Sequence, residues 1–491
     1  MADLLILSKV LSSVSSTYLI LFRCVTPGGA DMSTIWGLYV KLSVGTTATF
    51  AVLSALSACA SVEAPQANAN VSAECAASQE TRPERERVDS LALSGGGYRA
   101  ALFHIGALWR LNEVGLLDKV GHVSSVSGGS IVAGVLAINW ARLNFDSNGV
   151  AKCFPDYVVK PLLELTSNTL DAPSIVLGAA TPFADAPMYL EQSYAKHLFG
   201  ELTLQSLPDS PEFIFNATSL QTGEIWRFTK RYAGDNAVGY VGDPKIPLSK
   251  VVAASSAYPP LLSPVALDLK NNNWIDSGQE YKRGTTSNPL SSSVQKDIAN
   301  FRQTVLLTDG GIGDNLGTES VWTNNGRLFA SDGGSGFDPS PTPSTSWMSQ
   351  TLRVVSLIHG QPSQLRTNML IDRFRQRSPD GLYWSILGPQ PRHKECLPIW
   401  KVSGESIARL ASIPTRLAAL GEKEKKELIN WGYSAAEAAL PYLDDLWVSK
   451  TTPGVFRWSA PPPRWPYQDA ALPIDEEHDA WMQKCLAKSK N

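Results

Sequence analysis

Three short stretches of this chain hold residues able to do covalent chemistry, and they stand in a definite order. Ser94-Gly95-Gly96-Gly97-Tyr98-Arg99 follows the apolar run "VDSLAL" and opens a helix-like pattern. Ser125-Val126-Ser127-Gly128-Gly129 comes about 30 residues later, one strand-helix-strand unit on. Asp309-Gly310-Gly311 closes a further apolar run, "TVLLTD". A serine flanked two positions either side by small residues approximates the G-x-S-x-G elbow, a sharp strand-to-helix turn that exposes a nucleophilic hydroxyl. Ser125 stands where that pattern expects glycine. A free hydroxyl is a poor nucleophile at neutral pH and needs a proton acceptor; Asp309 can be one, with Gly310 and Gly311 leaving its carboxylate uncrowded. The negative oxygen that develops on an attacked acyl group needs amide donors, and Gly95, Gly96 and Gly97 have no Cβ to keep a ligand off their N–H groups. The positive end of the helix starting at Gly128 favours the same charge. Acyl transfer through a serine intermediate is the chemistry these residues support.

Other chemistries compete for the same residues. A P-loop requires a lysine that is missing beside the triple glycine. Gly95, Gly97 and Ala100 satisfy the dinucleotide pattern G-x-G-x-x-[GA], but the next strand ends in "SSVSGGS" with no carboxylate to hold a ribose. A Ser-His-Asp triad is the mechanistic rival: His359 follows Ser127 and Asp309 in the chain order of α/β-hydrolases, and His104 lies on the helix behind the glycine loop. An unperturbed aspartate titrates near ~3.9, so a Ser-Asp pair demands that the site raise Asp309 by burial or hold it tightly against the hydroxyl.

Elements must bring these residues to one place. The runs "VDSLAL", "VGHVSSV", "PEFIFNAT", "TVLLTD" and "TLRVVSLI" read as strands, with helical patterns at Tyr98–Val114, Gly128–Leu143 and, interrupted by Pro414, Glu405–Leu420. Alternation of this kind predicts a mainly parallel sheet covered by helices on both faces, with the loops after successive strands emerging at one edge. Phe154–Leu198 reads as a cap over the site or a packed helical layer. Asp332–Ser346 reads as a surface loop, and the proline-rich Pro461–Tyr467 as a strap on the surface.

Together the three motifs resemble the patatin-like phospholipase family, over about Val88 to Leu370: "SGGGYR" its glycine-rich oxyanion loop with the following Arg99, "SVSGG" its nucleophile, "DGG" its aspartate, and "AASSAYPPLLSPV" the segment between. The resemblance implies a three-layer α/β fold and a lipid acyl hydrolase, of phospholipase A or lysophospholipase type, that uses a Ser127–Asp309 dyad and no cofactor or metal. Arg99 is expected to brace the loop rather than contact an anionic head group. A lipid-binding lipoprotein of the same fold without turnover is the rival from another class.

At 491 residues, 43% of them hydrophobic and 18% charged, the chain is a folded protein rather than a disordered or polytopic one. Its net charge of -3 argues against nucleic acid. Leu4–Phe22 and Leu42–Ala58 are long enough to enter a bilayer, and the second ends in "LSAC", which resembles a bacterial lipobox with Cys59 as the acylated residue. Counted from Met32, the segment before Cys59 has a signal-peptide length, about 27 residues. The expected organisation is a signal region over 1–59, a disordered tether over 60–87, the hydrolase domain over 88–450 and a packed tail over 451–491. The place expected is the bacterial cell envelope, on an outer membrane facing periplasm or exterior. Cys75, Cys153, Cys396 and Cys485 remain in the processed chain, with every pairing open.

Overall fold

The computed structural model describes residues 2–5, 17–24, 36–41, 75, 88–180, 186–276, 297–324, 326–334, 341–376, 381–388, 402–440, 443 and 464–473. The chain divides into two compact units, Met1–Gln66 and Ala67–Asn491. In the first, β1 (Ala2–Leu5), β2 (Thr17–Cys24) and β3 (Trp36–Lys41) form a three-stranded antiparallel sheet. The apolar stretch Leu4–Phe22 thus falls partly on strands; Leu42–Ala58, Met32 and Cys59 lie outside the described residues, as do Cys396 and Cys485. No described helix is long and apolar enough to cross a membrane.

The second unit is built on one mixed sheet. Its strands are β4 (Asp89–Leu93), β5 (Val120–Val126), β6 (Glu212–Ser219), β7 (Ile225–Phe228), β8 (Tyr232–Asp235), β9 (Gly239–Gly242), β10 (Val265–Asp268), β11 (Trp274–Ile275), β12 (Thr304–Asp309), β13 (Leu328–Asp332) and β14 (Gly381–Ser385). The centre, in the order β6-β5-β4-β13-β14, is parallel; β7, β8, β9 and β11 extend it antiparallel beyond β6. Helices α1 (Gly97–Glu113), α2 (Gly128–Asn139), α3 (Leu248–Ser255), α4 (Trp347–Arg375), α5 (Gly404–Ala411) and α6 (Glu422–Ala439) complete the layers.

Side chains alternate across the sheet, as strand pleating requires. Leu91, Leu93, Val123, Phe213 and Phe215 enter the larger core with α1, α2 and α6. Ala92, Ile214, Leu328 and Ala330 face a smaller core closed by Leu370 and Phe374 of α4. The result is the three-layer α/β fold. Leu162, Leu165, Leu190 and Tyr194 belong to the larger core, so Phe154–Leu198 contributes a packed helical layer.

Three segments differ from the sequence reading. "TLRVVSLI" is not a strand but part of α4, whose N-terminus is capped by Ser346 Oγ accepting from Ser349 N. Local β-propensity there yields to a long helix packing on the sheet. The strands on that flank are instead β13 and β14, and β13 ends at Asp332, so the expected surface loop begins only after it. Cys75, read as part of the tether, is buried and disulfide-bonded to Cys153, with its carbonyl accepting from Tyr157 Oη at 3.0 Å.

The C-terminal third is integral to the unit. Helix α6 crosses α1 where Gly106 and Gly432 face each other's backbone: a Cβ on either would lie 1.8 Å from Ile429 O or Phe103 O respectively. Buried Arg110 on α1 pairs with Glu437 on α6. The tail lies over α6, with Trp465 Nε1 donating to Ser434 Oγ at 2.8 Å and Asn430 Nδ2 to the carbonyls of Tyr467 and Ala470.

Candidate active site

Strand β6 brings the two reactive stretches together. Its first half pairs with β5, ending at Val126 opposite Asn216. Along the same edge, β12 then pairs with its second half and ends at Asp309 opposite Ala217. Because β5 runs parallel to β6 and β12 antiparallel, the two strands approach head-on and their C-terminal ends meet one register position apart. The parallel arrangement expected from sequence would also have put both ends at one edge, but from a common direction. The meeting is tight: a Cβ on Gly310 would lie 2.2 Å from Asn216 O.

Ser127 sits in the turn between β5 and α2 with φ 50° and ψ -117°. Left-handed backbone of this kind strains a residue with a side chain, and it persists only where surroundings hold it. Here Ser255 Oγ, at the end of α3, accepts from Ser127 N at 3.0 Å, donates to Asn216 O at 2.6 Å and contacts Ser130 Oγ at 2.8 Å. Ser125, the departure from glycine, has its hydroxyl within this network: it donates to Ile214 O at 3.3 Å and accepts from Ser130 Oγ at 3.0 Å. Its side chain is buried and partnered, so it does not obstruct the elbow.

The Ser127 hydroxyl lies close enough to the Asp309 carboxylate to favour its charged form. Burial pushes that carboxylate up to about 6, against the lowering effects of the hydrogen bond from Gly311 N, at 2.7 Å, and of the Ser127 hydroxyl. Asp309 is held through its backbone as well, its N–H donating to Ala257 O at 3.0 Å and its carbonyl accepting from Thr218 Oγ1 at 3.0 Å.

The glycine loop lies directly on the elbow. A Cβ on Gly128 would lie 2.2 Å from Gly97 O, and one on Gly129 2.4 Å from Leu93 O. The small residues after the serine are therefore dictated by the approach of this loop. Gly96 and Gly97 adopt φ 141° and 59°, open to glycine. Their amides have no acceptor among the described residues. Gly95 departs from the three-donor expectation, because its N–H donates to Asn315 O at 3.0 Å.

His104 has both ring nitrogens engaged away from the serine. His104 is fully buried, with Nε2 2.9 Å from Ser94 O and Nδ1 2.8 Å from Ser331 Oγ. A carbonyl can only accept, so Nε2 carries the proton and Nδ1 accepts from the Ser331 hydroxyl. Burial pushes the ring down to about 4. His359 lies within α4, not at a strand end, and its side chain is outside the described residues. Arg99 is buried too, with Nη1 donating to Ala411 O and Ile413 O at 2.7 Å and its other donors to Gly333 O. It braces the loop against α5.

Sequence reasoning passed over Ser255 and Asn216, whose side chain donates to Ser124 Oγ and Ser125 O at 2.9 Å. A serine and an asparagine in strand and helix ends carry no signal of their own. Their importance appears only when β6 is seen to support both β5 and β12.

No curated protein matches the chain. Among solved structures, human GIVD cytosolic phospholipase A2 bound to a fluorophosphonate inhibitor aligns at 13% identity and TM-score 0.39, over 76% of this chain and 61% of that one. VipD from Legionella pneumophila aligns at 14% identity and TM-score 0.30, over 75% of this chain and 72% of its own. The chain therefore spans less than two thirds of the first of these proteins. The family model described as patatin-like phospholipase matches residues 91–322, which include the glycine loop, Ser127 and Asp309. Over residues 91–322, then, the chain carries a patatin-like phospholipase domain.

Proposed function

We propose that this protein hydrolyses carboxylic esters of lipids with Ser127 as nucleophile and Asp309 as its proton acceptor. The observation that carries the reading is the Ser127 hydroxyl facing a buried carboxylate whose charged form it favours, beside two loop amides without an acceptor among the described residues. As Ser127 Oγ attacks the ester carbonyl, its proton passes to Asp309. Charge on the carbonyl oxygen is taken up by the N–H groups of Gly96 and Gly97, with the N-terminus of α2 adding its dipole. The protonated Asp309 gives its proton to the leaving alcohol oxygen, and the C–O bond breaks to leave an acyl-serine. Water then attacks the acyl-serine, losing a proton to Asp309, which returns it to Ser127 Oγ as the fatty acid leaves. An aspartate at about 6 suits this double role better than one in the ordinary range, since a proton carrier works best near the operating pH.

A fluorophosphonate probe tests the reading. Labelling that disappears in Ser127→Ala supports the hydrolase; folded wild-type protein that takes no label supports the non-catalytic lipid binder instead. We further propose that Cys59 is acylated and tethers the protein in the bacterial envelope, close to insoluble substrate. The Cys75–Cys153 disulfide fits an oxidising compartment. Incorporation of radiolabelled palmitate, abolished by Cys59→Ala, is the expected result.

A further inference from the structure

The loop's own arginine is unavailable to substrate. Arg99 is 2% exposed and its donors are engaged by three carbonyls. A second arginine lies on the same loop from the far end of the chain. Tyr98 N donates to Arg416 O at 3.0 Å, and a Cβ on Gly97 would lie 2.5 Å from that oxygen. Gly97 in turn lies against Gly128, so Arg416, the loop and the elbow are stacked in successive layers. The strap bearing Arg416 is fastened on both sides: Arg99 holds Ala411 and Ile413, and Leu170 N donates to Leu417 O at 2.8 Å.

The Arg416 side chain is 56% exposed, and its Nε donates to Asp171 Oδ2 at 2.8 Å. Asp171 is nearly buried, so it fixes one edge of the guanidinium. Nη1 and Nη2 have no acceptor among the described residues. A planar fork oriented by a carboxylate, with two nitrogens free, matches the geometry of a phosphate anion. In a phospholipid only a few bonds of glycerol separate the phosphate from the scissile ester, a span that an arginine side chain can bridge.

Resting on the reading of Ser127 as the nucleophile, we propose that Arg416 binds the phosphodiester of the substrate and makes a phospholipid or lysophospholipid, rather than a neutral glyceride, the preferred ester. The arginine that selects substrate then comes from the C-terminal third, outside the matched span of residues 91–322.

The test compares full-length wild type with Arg416→Gln and Arg416→Lys on lysophosphatidylcholine and on a monoacylglycerol of the same acyl chain, in the same detergent micelles. Arg416→Gln is expected to lower kcat/KM on the lysophospholipid about 10- to 100-fold and to leave the monoacylglycerol within about twofold. Arg416→Lys keeps the charge without the fork and recovers part of the loss. Equal losses on both esters, or none on either, overturn the proposal. In parallel, a non-hydrolysable ether lysophospholipid is titrated into each protein, with an uncharged ether lipid as control. A loss of affinity confined to the phosphate-bearing lipid supports Arg416 as its ligand, and unchanged affinity overturns it. If wild type cleaves neither ester, the hydrolase reading fails while this titration still decides the role of Arg416.

Discussion

The tripeptide Asp-Gly-Gly closes two strands of the same sheet, at Asp309 on β12 and at Asp332 on β13. Burial raises both carboxylates above the ordinary range. Their partners differ. Asp332 accepts from Tyr383 Oη at 2.9 Å and from Gly334 N at 3.0 Å, and it faces the charge of Arg99. Asp309 accepts from Gly311 N and faces the hydroxyl of Ser127, which favours its charged form. One carboxylate is fully engaged in holding the glycine loop and β14, whereas the other faces the hydroxyl of the proposed nucleophile. Motif and burial are common to both, so what decides the role is the group that the topology brings to the second oxygen.

The largest expected effect breaks this comparison most directly. Ser127→Ala and Asp309→Asn are each expected to lower ester hydrolysis at least about 1000-fold, as loss of a nucleophile or its base does elsewhere. Asp332→Ala should keep activity within about tenfold, because it touches no reacting group, but lower stability by about 1–3 kcal/mol through the orphaned Tyr383 hydroxyl and Gly334 amide. Steady-state assays and urea unfolding measure the two quantities. Equal losses of activity at both aspartates would mean that the assignment of roles is wrong.

Stability should move in opposite directions at the two sites. Asp309 sits at about 6 when folded, against 3.8 as its ordinary value, so the folded state holds its proton more tightly. Its burial therefore costs nothing below about pH 4, an increasing amount as pH rises, and a constant amount above about pH 6. Asp309→Asn removes that cost and keeps an oxygen for Gly311 N. It is expected to be more stable than wild type by up to about 3 kcal/mol at pH 8 and equal to it at pH 4. Urea midpoints at the two pH values check this; a destabilised variant at pH 8 would show that Asp309 is structural after all.

The same titration sets the pH profile. In the proposed dyad Asp309 is ionised when it accepts the Ser127 proton, so kcat/KM should rise through a midpoint near pH 6 and level off above it. His104 should add no second limb there, since burial holds it neutral down to about 4. A profile unchanged in shape by His104→Gln fits the dyad. A midpoint that vanishes with that substitution would reinstate the triad.

The elbow, glycine loop and Asp309 were legible because each is local: a glycine pattern dictated by backbone approach, or a polar residue closing an apolar run. Three features were not legible. The antiparallel arrival of β12 depends on which edge of β6 it finds, a long-range choice that no local pattern encodes. Strand β13 was hidden because "LFASD" is short and ends in the glycine cluster that reads as a loop. The C-terminal third has no reactive motif. Its placement rests on Gly106 and Gly432, two glycines whose purpose is visible only where α1 and α6 cross.

The smallest effect concerns the support beneath the nucleophile. Ser255 Oγ is the acceptor for the amide of a residue at φ 50°, and its own proton goes to Asn216 O on the strand that aligns β5 with β12. Ser255→Ala removes both bonds without touching substrate, leaving the elbow free to relax toward an ordinary turn and the hydroxyl to drift from Asp309. Misplacement on this scale lowers the fraction of molecules in attacking geometry. The expected outcome is a loss of about 3- to 10-fold in kcat with KM and the pH midpoint unchanged, because the base and the binding surface are intact. A shift of the midpoint would instead mean that Ser255 tunes Asp309 itself, and the division between the residue that reacts and the network that holds it would have to be redrawn.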